Sequence, residues 1–305
     1  MPSPTQPDPT EASGTVSDAT PACVLVFNAN DPSGAGGLAA DMLAIASVGA
    51  HALPICTGTY ARDTATIFNH FALDGEAVAE QAQAVLEDMQ VQVIKVGFVG
   101  SPENLGVVAG IASDYEDTPL VAYMPSLAWW DEDRIEAYLD AFSELILPQT
   151  TVLVGSHSTL WRWLLPDWST EKSPGARDIA RAAQALGVRY TLVTGMLQPD
   201  QFIANALATP HAVLVSDRFE RFEAVFAGAG DTLSAALAAL LASGADPSEA
   251  AAEALHYLDG CLDSGFQPGM GHALPDRLFW AESGAPADDG IDENDNIPLT
   301  ARPVP

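Results

Sequence analysis

The stretch most suited to chemistry lies at residues 226–244, FAGAGDTLSAALAALLASG. Three small residues (228–230) precede Asp231, and an Ala- and Leu-rich segment follows it. Because Ala and Leu favour helix, the sequence predicts a helix from Thr232 to about residue 242, ended by Gly244. A small-residue loop that leads into a helix exposes unpaired backbone amides, and the helix dipole adds partial positive charge there. The pattern indicates an anion site suited to phosphate.

Asp231 has two interpretations. An aspartate at the mouth of a phosphate site repels the phosphate unless it serves a purpose, such as accepting the proton of an attacking hydroxyl. The structural alternative is that Asp231 is the N-cap of the helix, a position that Asp fills well. From these residues alone both interpretations remain open.

The composition excludes several classes of function. The 305 residues include 41 acidic and 12 basic side chains, a net charge of -29, so a nucleic-acid partner or an anionic membrane surface is not expected. Hydrophobic residues make up 48% of the chain, enough for one large domain with a substantial core. Cys23, Cys56 and Cys261 show no CxxC spacing, which argues against a disulfide framework or a zinc site. With no signal-peptide pattern and no apolar run of about 18 residues, we expect a cytoplasmic protein that does not span a membrane.

The middle of the chain alternates strand and helix signals. Residues 1–20 and 283–305 have little to bury, so we expect disordered tails around one folded domain at 21–282. Strands are predicted at 23–28, 53–58, 91–96, 120–124, 152–154 and 190–194, with a β-hairpin at 211–215 and 219–225. Helices are predicted at 38–48, 77–89, 105–112, 134–146, 174–186, from 232 and at 247–264. Such βα units predict an α/β fold with a central, mostly parallel sheet and helices on both faces.

The glycine-rich loop at 29–37, ANDPSGAGG, follows the first predicted strand. Ligands of parallel sheets bind beyond the carboxyl ends of strands, where this loop and the loop before Asp231 meet. The loop and the helix after it could present polar groups, Asp31 and Asp41, to a small substrate. The alternative is an ordinary glycine-rich turn, with Asp41 on a solvated helix face.

Four segments together resemble the hydroxymethylpyrimidine/phosphomethylpyrimidine kinases of thiamine biosynthesis. NDPSGAGGLAADMLAIASVGAHALPICTGTYARDT is similar to that family's GxDPSGGAGIQADLKTFxxxGxxGxxxxTAxxxQNT, and IKVGFVGSPENLGVVA to its KIGMLxxxxxxxxVA. GAGDTLSAALAALLASG is similar to its GTGCTLSAAIAAxLAxG, and PGMGHALPDRLFW to its closing GHGxGPxxH. The register holds from about Cys23 to Trp280.

The resemblance implies a three-layer ribokinase-like fold, ATP and Mg²⁺ as cofactors, a small pyrimidine substrate and a homodimer. The nearer family commonly has Cys at position 231, whereas ribokinases and pyridoxal kinases have Asp, which favours Asp231 as a base. The implied residues are Asp231 as the catalytic base; Gly228, Ala229 and Gly230 as the anion hole; Ala29, Asp31, Asp41, Arg62 and Phe98 at the substrate; and Thr194, Gly195 and His272 at the nucleotide.

Several family motifs are altered in this chain. Arg62 stands for the glutamine and Phe98 for the methionine that contact the pyrimidine. Two consequences of Arg62 stay open: the ring that is recognised could differ, or Arg62 could pair with Asp41 or Asp63. The DPVM motif reads MPSL at 124–127, TPNxxE reads VGSHST at 154–159, and KGGH reads TGML at 194–197. A carboxylate and a lysine expected near the phosphates are therefore absent, and no metal ligand can be assigned. Lys95 is expected at a strand end away from the site.

Three functions remain open from the sequence. The first is an ATP-dependent kinase for hydroxymethylpyrimidine or its monophosphate. The second is a kinase for a related substrate such as pyridoxal, and the third is a catalytically weak homologue that binds a heterocycle. The tryptophans at 129, 130, 161, 163 and 168 either pack in the core or a dimer interface or stack on a nucleobase.

Overall fold

The computed structural model describes residues 20–282, so the expected tails lie outside the described residues except for Thr20. The strands are β1 Cys23–Asn30, β2 His51–Arg62, β3 Ile67–Ala72, β4 Val93–Val96, β5 Leu120–Met124, β6 Val152–Ser156, β7 Tyr190–Leu197, β8 Phe202–Ala208 and β9 Val213–Glu220. The α-helices are α1 Gly37–Ser47, α2 Gly75–Leu86, α3 Pro102–Ser113, α4 Glu132–Ala141, α5 His157–Leu164, α6 Ala176–Gln184, α7 Ala229–Ala242, α8 Pro247–Asp263 and α9 Phe279–Glu282. A π-helix at Phe142–Ile146 and a 3-10 helix at Leu147–Gln149 follow α4. Within residues 20–282, no helix is both long and apolar enough to cross a membrane.

The strands form one nine-stranded sheet in the order β3-β2-β1-β4-β5-β6-β7-β8-β9. The six strands from β2 to β7 in that order are mutually parallel. The edge strand β3 and the pair β8 and β9 are antiparallel to their neighbours. The predicted mostly parallel sheet is confirmed, and the carboxyl ends of β1, β4, β5, β6 and β7 share one edge.

Helices cover both faces of the sheet, which gives three layers. Helices α2 to α6 pack on one face, and α1, α7 and α8 pack on the other. Strand β1 is buried along almost its whole length, as its apolar sequence CVLVFNA requires. Helix α7 lies against α1, α8 and the central strands, because its many alanines allow close approach.

Several elements differ from the sequence-based predictions. The hairpin is formed by β8 and β9, not by residues 211–215 and 219–225. Hydrogen bonds between Thr209 and Ala212 close its turn, which lies before β9. Strand β8, FIANALA, is rich in Ala rather than in β-branched residues and gave no strand signal. The antiparallel edge strand β3 and the short helix α5 were not predicted.

Candidate active site

Helix α7, which carries Asp231, starts three residues earlier than the sequence predicts. It begins at Ala229, and its N-cap is Gly228, whose φ of 83° lies in the left-handed region that favours glycine. A side chain at Gly228 would collide with the carbonyl oxygen of Ala35, so the two glycine-rich loops touch at this point. Asp231 is the third residue of the helix, so its interpretation as the N-cap is wrong.

The first amides of α7 are not capped by a side chain. By contrast, α2, α3, α5 and α8 each start with an Asp or Ser whose side chain accepts a hydrogen bond from a first-turn amide. The first amides of a helix have no acceptor within that helix. Those of Ala229, Gly230 and Asp231 are therefore available to an anion.

Asn28, at the carboxyl end of β1, joins Asp231 to a second carboxylate. Its Nδ2 donates to Asp231 Oδ1 at 2.9 Å and to Asp41 Oδ2 at 2.8 Å. Its Oδ1 accepts from the backbone amides of Ala29 at 2.9 Å and Phe98 at 3.1 Å. Because the two backbone amides need an acceptor, the Asn28 oxygen must point toward them. Its NH₂ group then points toward the two carboxylates. Sequence reasoning missed Asn28, although a polar residue in an apolar strand was a signal.

Lys95 lies inside this network, so its expected placement away from the site is wrong. Its Nζ is 2.6 Å from Asp41 Oδ1 and 3.5 Å from Asp231 Oδ1, and the side chain is fully buried. In β4, alternate residues face opposite sides of the sheet, and Lys95 shares the side of Val93, under α1 and α7. Burial raises the pKa of Asp41 to about 6, although the nearby ammonium of Lys95 acts in the opposite direction.

Asp41 has no exposed side-chain surface. Its two carboxylate oxygens are held by Lys95 and Asn28. Contact between Asp41 and a substrate would require this arrangement to open, and that role stays a prediction. The alternative of a solvated position on the helix is wrong.

Arg277 is a buried cation at the base of the two loops, and sequence reasoning missed it. Its Nη2 donates to the carbonyl of Ala35 at 2.5 Å, and its Nη1 donates to that of Gly34 at 3.3 Å. Its Nε donates to Thr232 Oγ1 at 2.9 Å. Arg277 thus ties the first glycine-rich loop to the first turn of α7 and places positive charge beside Asp231. The only signal was an arginine in the closing segment that resembles the kinase family.

Arg62 pairs with Asp31, not with Asp41 or Asp63 as the sequence suggested. Arg62 Nη1 lies 3.2 Å from Asp31 Oδ2, and its Nε donates to the backbone carbonyl of Asp63. The carboxylate of Asp63 instead accepts from the turn amides that follow it, and that of Asp41 is buried. Asp31 also accepts from the amide of Gly36 at 2.8 Å, so the ion pair is part of the first loop's framework.

Phe98 is the centre of an aromatic cluster on the other side of the site. Its ring stacks on Tyr60 with centroids 5.8 Å apart and meets Trp129 and Trp130 edge-on at 5.6 and 5.1 Å. His70 contacts the same ring at 4.9 Å. Phe98 is only 2% exposed, and Trp129 and Trp130 are partly buried and pack against the same core cluster.

A cavity of about 180 Å³ borders the N-terminus of α7 on the side away from Phe98. Its lining includes Thr194, Gly195, Phe219, Ala229, Gly230 and Leu258. The predicted nucleotide residues Thr194 and Gly195 therefore share a cavity with the predicted anion hole. His272 does not line it: its backbone amide donates to the carbonyl of Thr64, beside the β2–β3 turn.

Comparisons with known proteins identify the family. The family model described as phosphomethylpyrimidine kinase matches residues 31–276. The hydroxymethylpyrimidine/phosphomethylpyrimidine kinase of Mycobacterium tuberculosis is 28% identical over 263 residues, which cover 85% of this chain and 95% of that protein.

Solved structures show the fold. The pyridoxal kinase of Bacillus subtilis, in an ADP complex, matches with a TM-score of 0.77 and 19% identity over 86% of this chain and 99% of its own. A phosphomethylpyrimidine kinase from Clostridium difficile matches with a TM-score of 0.63 and 19% identity over 77% and 98%. The predicted ribokinase-like fold is confirmed.

Proposed function

The chain belongs to the phosphomethylpyrimidine kinase family, and on this basis we propose that it transfers the γ-phosphoryl group of ATP to hydroxymethylpyrimidine or its monophosphate. The observation that carries the proposal is the position of Asp231. One of its oxygens is held by Asn28, the side chain keeps 16% of its surface exposed, and two uncapped amides adjoin it. A carboxylate and uncapped helix amides thus lie side by side at the edge where the strands end.

In the proposed reaction, the acceptor hydroxyl gives its proton to Asp231 as its oxygen bonds to the γ-phosphorus. The bond between that phosphorus and the bridging oxygen breaks, and ADP leaves with the electron pair. The amides of Ala229 and Gly230, with Gly228 at the turn, form the anion hole that offsets charge on the transferring group. When the monophosphate is the acceptor, the attacking oxygen belongs to its phosphate.

The nucleotide is assigned to the cavity lined by Thr194 and Gly195, because it opens onto the same amides. Arg277 supplies positive potential in place of the lysine that the altered KGGH segment lacks. His272 is a weaker candidate for the nucleotide because it lies beside Thr64. The acceptor is assigned to the side of α7 away from this cavity, near Ala29, Asp31, Arg62 and Phe98; direct contact with Asp41 would require its pair with Lys95 to open.

Mg²⁺ bound with the nucleotide would offset the negative charge of its phosphates. Among residues 20–282, no three His, Cys, Asp or Glu side chains are grouped to hold a metal ion. Mg²⁺ usually keeps several waters and binds through substrate phosphates with one or two carboxylates. The residues present therefore fit an ion held mainly by ATP and water, and no side chain is assigned to it.

We also propose a cytoplasmic homodimer. The three cysteines are free, which is typical of proteins from reducing compartments. Phe68 and Phe71 are well exposed on the edge strand β3 and offer an apolar surface to a second copy. Light scattering should give twice the chain mass of 31.9 kDa; a monomer would contradict this part of the proposal.

The function is tested by measuring ADP formation with MgATP and each of three acceptors, with ³¹P NMR of the products. We expect turnover with hydroxymethylpyrimidine or its monophosphate. Pyridoxal is the second candidate acceptor, favoured by Asp231 and by Arg62 in place of glutamine. A weak heterocycle binder would show ligand binding by calorimetry without MgATP affinity, and that result would overturn the kinase assignment.

A further inference from the structure

We propose that the buried pair Lys95 and Asp41 controls the charge and orientation of Asp231, with Lys95 favouring its ionised form and Asp41 opposing that effect. Both are positioning residues, since neither is exposed to a substrate in the structure. The inference rests on the proposed function in one respect: Asp231 is taken as the base.

The first observation is that one ammonium serves two carboxylates. Lys95 Nζ lies 2.6 Å from Asp41 and 3.5 Å from Asp231, and it is fully buried. A buried ammonium is costly unless it is paired, so this arrangement is not incidental. With all three groups ionised, the cluster carries one net negative charge, and a proton on Asp231 would neutralise it.

The second observation is that the two oxygens of Asp231 differ. Oδ1 faces inward and is held by Asn28 and Lys95. Within the described part of the chain, no group donates a hydrogen bond to Oδ2, which faces the first glycine-rich loop. A side chain at Gly36 would lie only 2.8 Å from Oδ2. Oδ2 is therefore the oxygen that is left to take a proton.

The third observation concerns the opposite signs of the two charges beside Asp231. Lys95 is a positive charge near Asp231 and stabilises its anion, whereas Asp41 is a negative charge and destabilises it. Asn28 donates to both carboxylates and holds their spacing. The other titratable groups around Asp231 are Arg277 before α9, Tyr123 on β5, Tyr60 on β2 and Asp31 in the first loop. All four are unchanged in the variants below.

A purely structural role for the pair makes a different prediction. If Lys95 served only to neutralise Asp41, removing either partner would lower stability and rate without moving the pH dependence in a particular direction. If the pair controls Asp231, the two single variants must move the pH dependence in opposite directions.

The test compares Lys95→Met, Asp41→Asn and the charge-balanced double variant. For kcat measured from about pH 3 to 9, we expect the acid limb of the pH profile to move up by about one pH unit or more in Lys95→Met and down by a similar amount in Asp41→Asn. In the double variant the limb should move less than in Lys95→Met. Shifts in the same direction, or an unmoved limb in both single variants, would overturn the inference. If Lys95→Met does not fold, the inference is tested by the other two variants: the acid limb should move down in Asp41→Asn and back up in the double variant, and any other pattern would overturn it.

A second readout does not require turnover. In protein labelled with ¹³C at the aspartate carboxyls, the Asp231 signal is identified by its loss in Asp231→Asn. The midpoint of its titration should move up in Lys95→Met and down in Asp41→Asn. If the wild type phosphorylates no acceptor but these midpoints move as expected, the proposed function fails and the electrostatic inference stands. If the wild type is active and the midpoints do not move, the inference fails alone.

Discussion

The two ends of α7 offer a matched pair of substitutions. Gly228 and Gly244 both have left-handed backbone, with φ of 83° and 94°. An alanine costs about 1 kcal/mol at either position for conformation alone. The surroundings differ: nothing lies within 4 Å of a Cβ at Gly244, whereas a Cβ at Gly228 would overlap the carbonyl of Ala35 and lie 2.9 Å from Arg277 Nη2.

Relief of the overlap at Gly228 requires the first turn of α7 to move away from the first glycine-rich loop. Overpacking of this kind costs about 1–3 kcal/mol. We therefore expect Gly228→Ala to lower the free energy of unfolding by about 2–4 kcal/mol and Gly244→Ala by about 1 kcal/mol. Urea denaturation followed by circular dichroism measures both.

The same pair separates stability from catalysis. Because a displacement of about 1 Å can cost roughly 100-fold in rate, Gly228→Ala should lower kcat at least tenfold and weaken MgATP binding. Gly244→Ala should keep both within about twofold, since it leaves the amides of Ala229 and Gly230 in place. If the two variants matched in stability and in kcat, the contact between the loops would have no role in positioning the anion hole.

Three further substitutions probe other parts of the site. Arg277→Met removes three hydrogen bonds and should lower the free energy of unfolding by about 3 kcal/mol and raise the KM for ATP; an unchanged KM for ATP would contradict its electrostatic role. His70→Phe should remove a pH dependence of stability. Burial lowers the pKa of His70 to about 4, so the contribution of the neutral ring to the free energy of unfolding is complete above pH 6.5 and is lost as the pH falls toward 4. The wild type should therefore lose about 2 kcal/mol more than His70→Phe between pH 7 and pH 5 in urea titrations, and equal losses would refute this. Arg62→Gln breaks the pair with Asp31 and should change the KM of the acceptor several-fold while the KM of ATP stays constant; the reverse pattern would place Arg62 at the nucleotide.

The sequence predicted the sheet and the approach of the two glycine-rich loops, because both follow from local patterns. Val-rich runs alternate with helical segments, and parallel strands place their carboxyl ends at one edge. The anion-hole helix was predicted from its Ala and Leu content, but its start was placed at Thr232. The left-handed turn at Gly228 begins the helix earlier, and only the contact with Ala35 specifies that turn.

The parts that the sequence could not predict depend on side chains that meet across the sheet. Lys95 reaches Asp41 and Asp231 because its face of β4 lies under α1 and α7. Lys95 and Asp231 are 136 residues apart, and no sequence pattern predicts a contact over that distance. Arg277 is 242 residues from Ala35, and its role depends on the closing segment folding back under the first loop. The sequence suggested Asp41 or Asp63 as the partner of Arg62, but other groups hold both of those carboxylates and the pair forms with Asp31.

The central claim is that Asp231 takes the proton of the acceptor while the neighbouring amides bind the phosphoryl group. The most direct test is a single-turnover measurement of phosphoryl transfer from γ-labelled ATP in the wild type and in Asp231→Asn, with the MgATP dissociation constant measured on the same samples. We expect the rate to fall by roughly 10²- to 10⁴-fold, with MgATP affinity unchanged within about threefold. An unchanged rate in Asp231→Asn would contradict the claim.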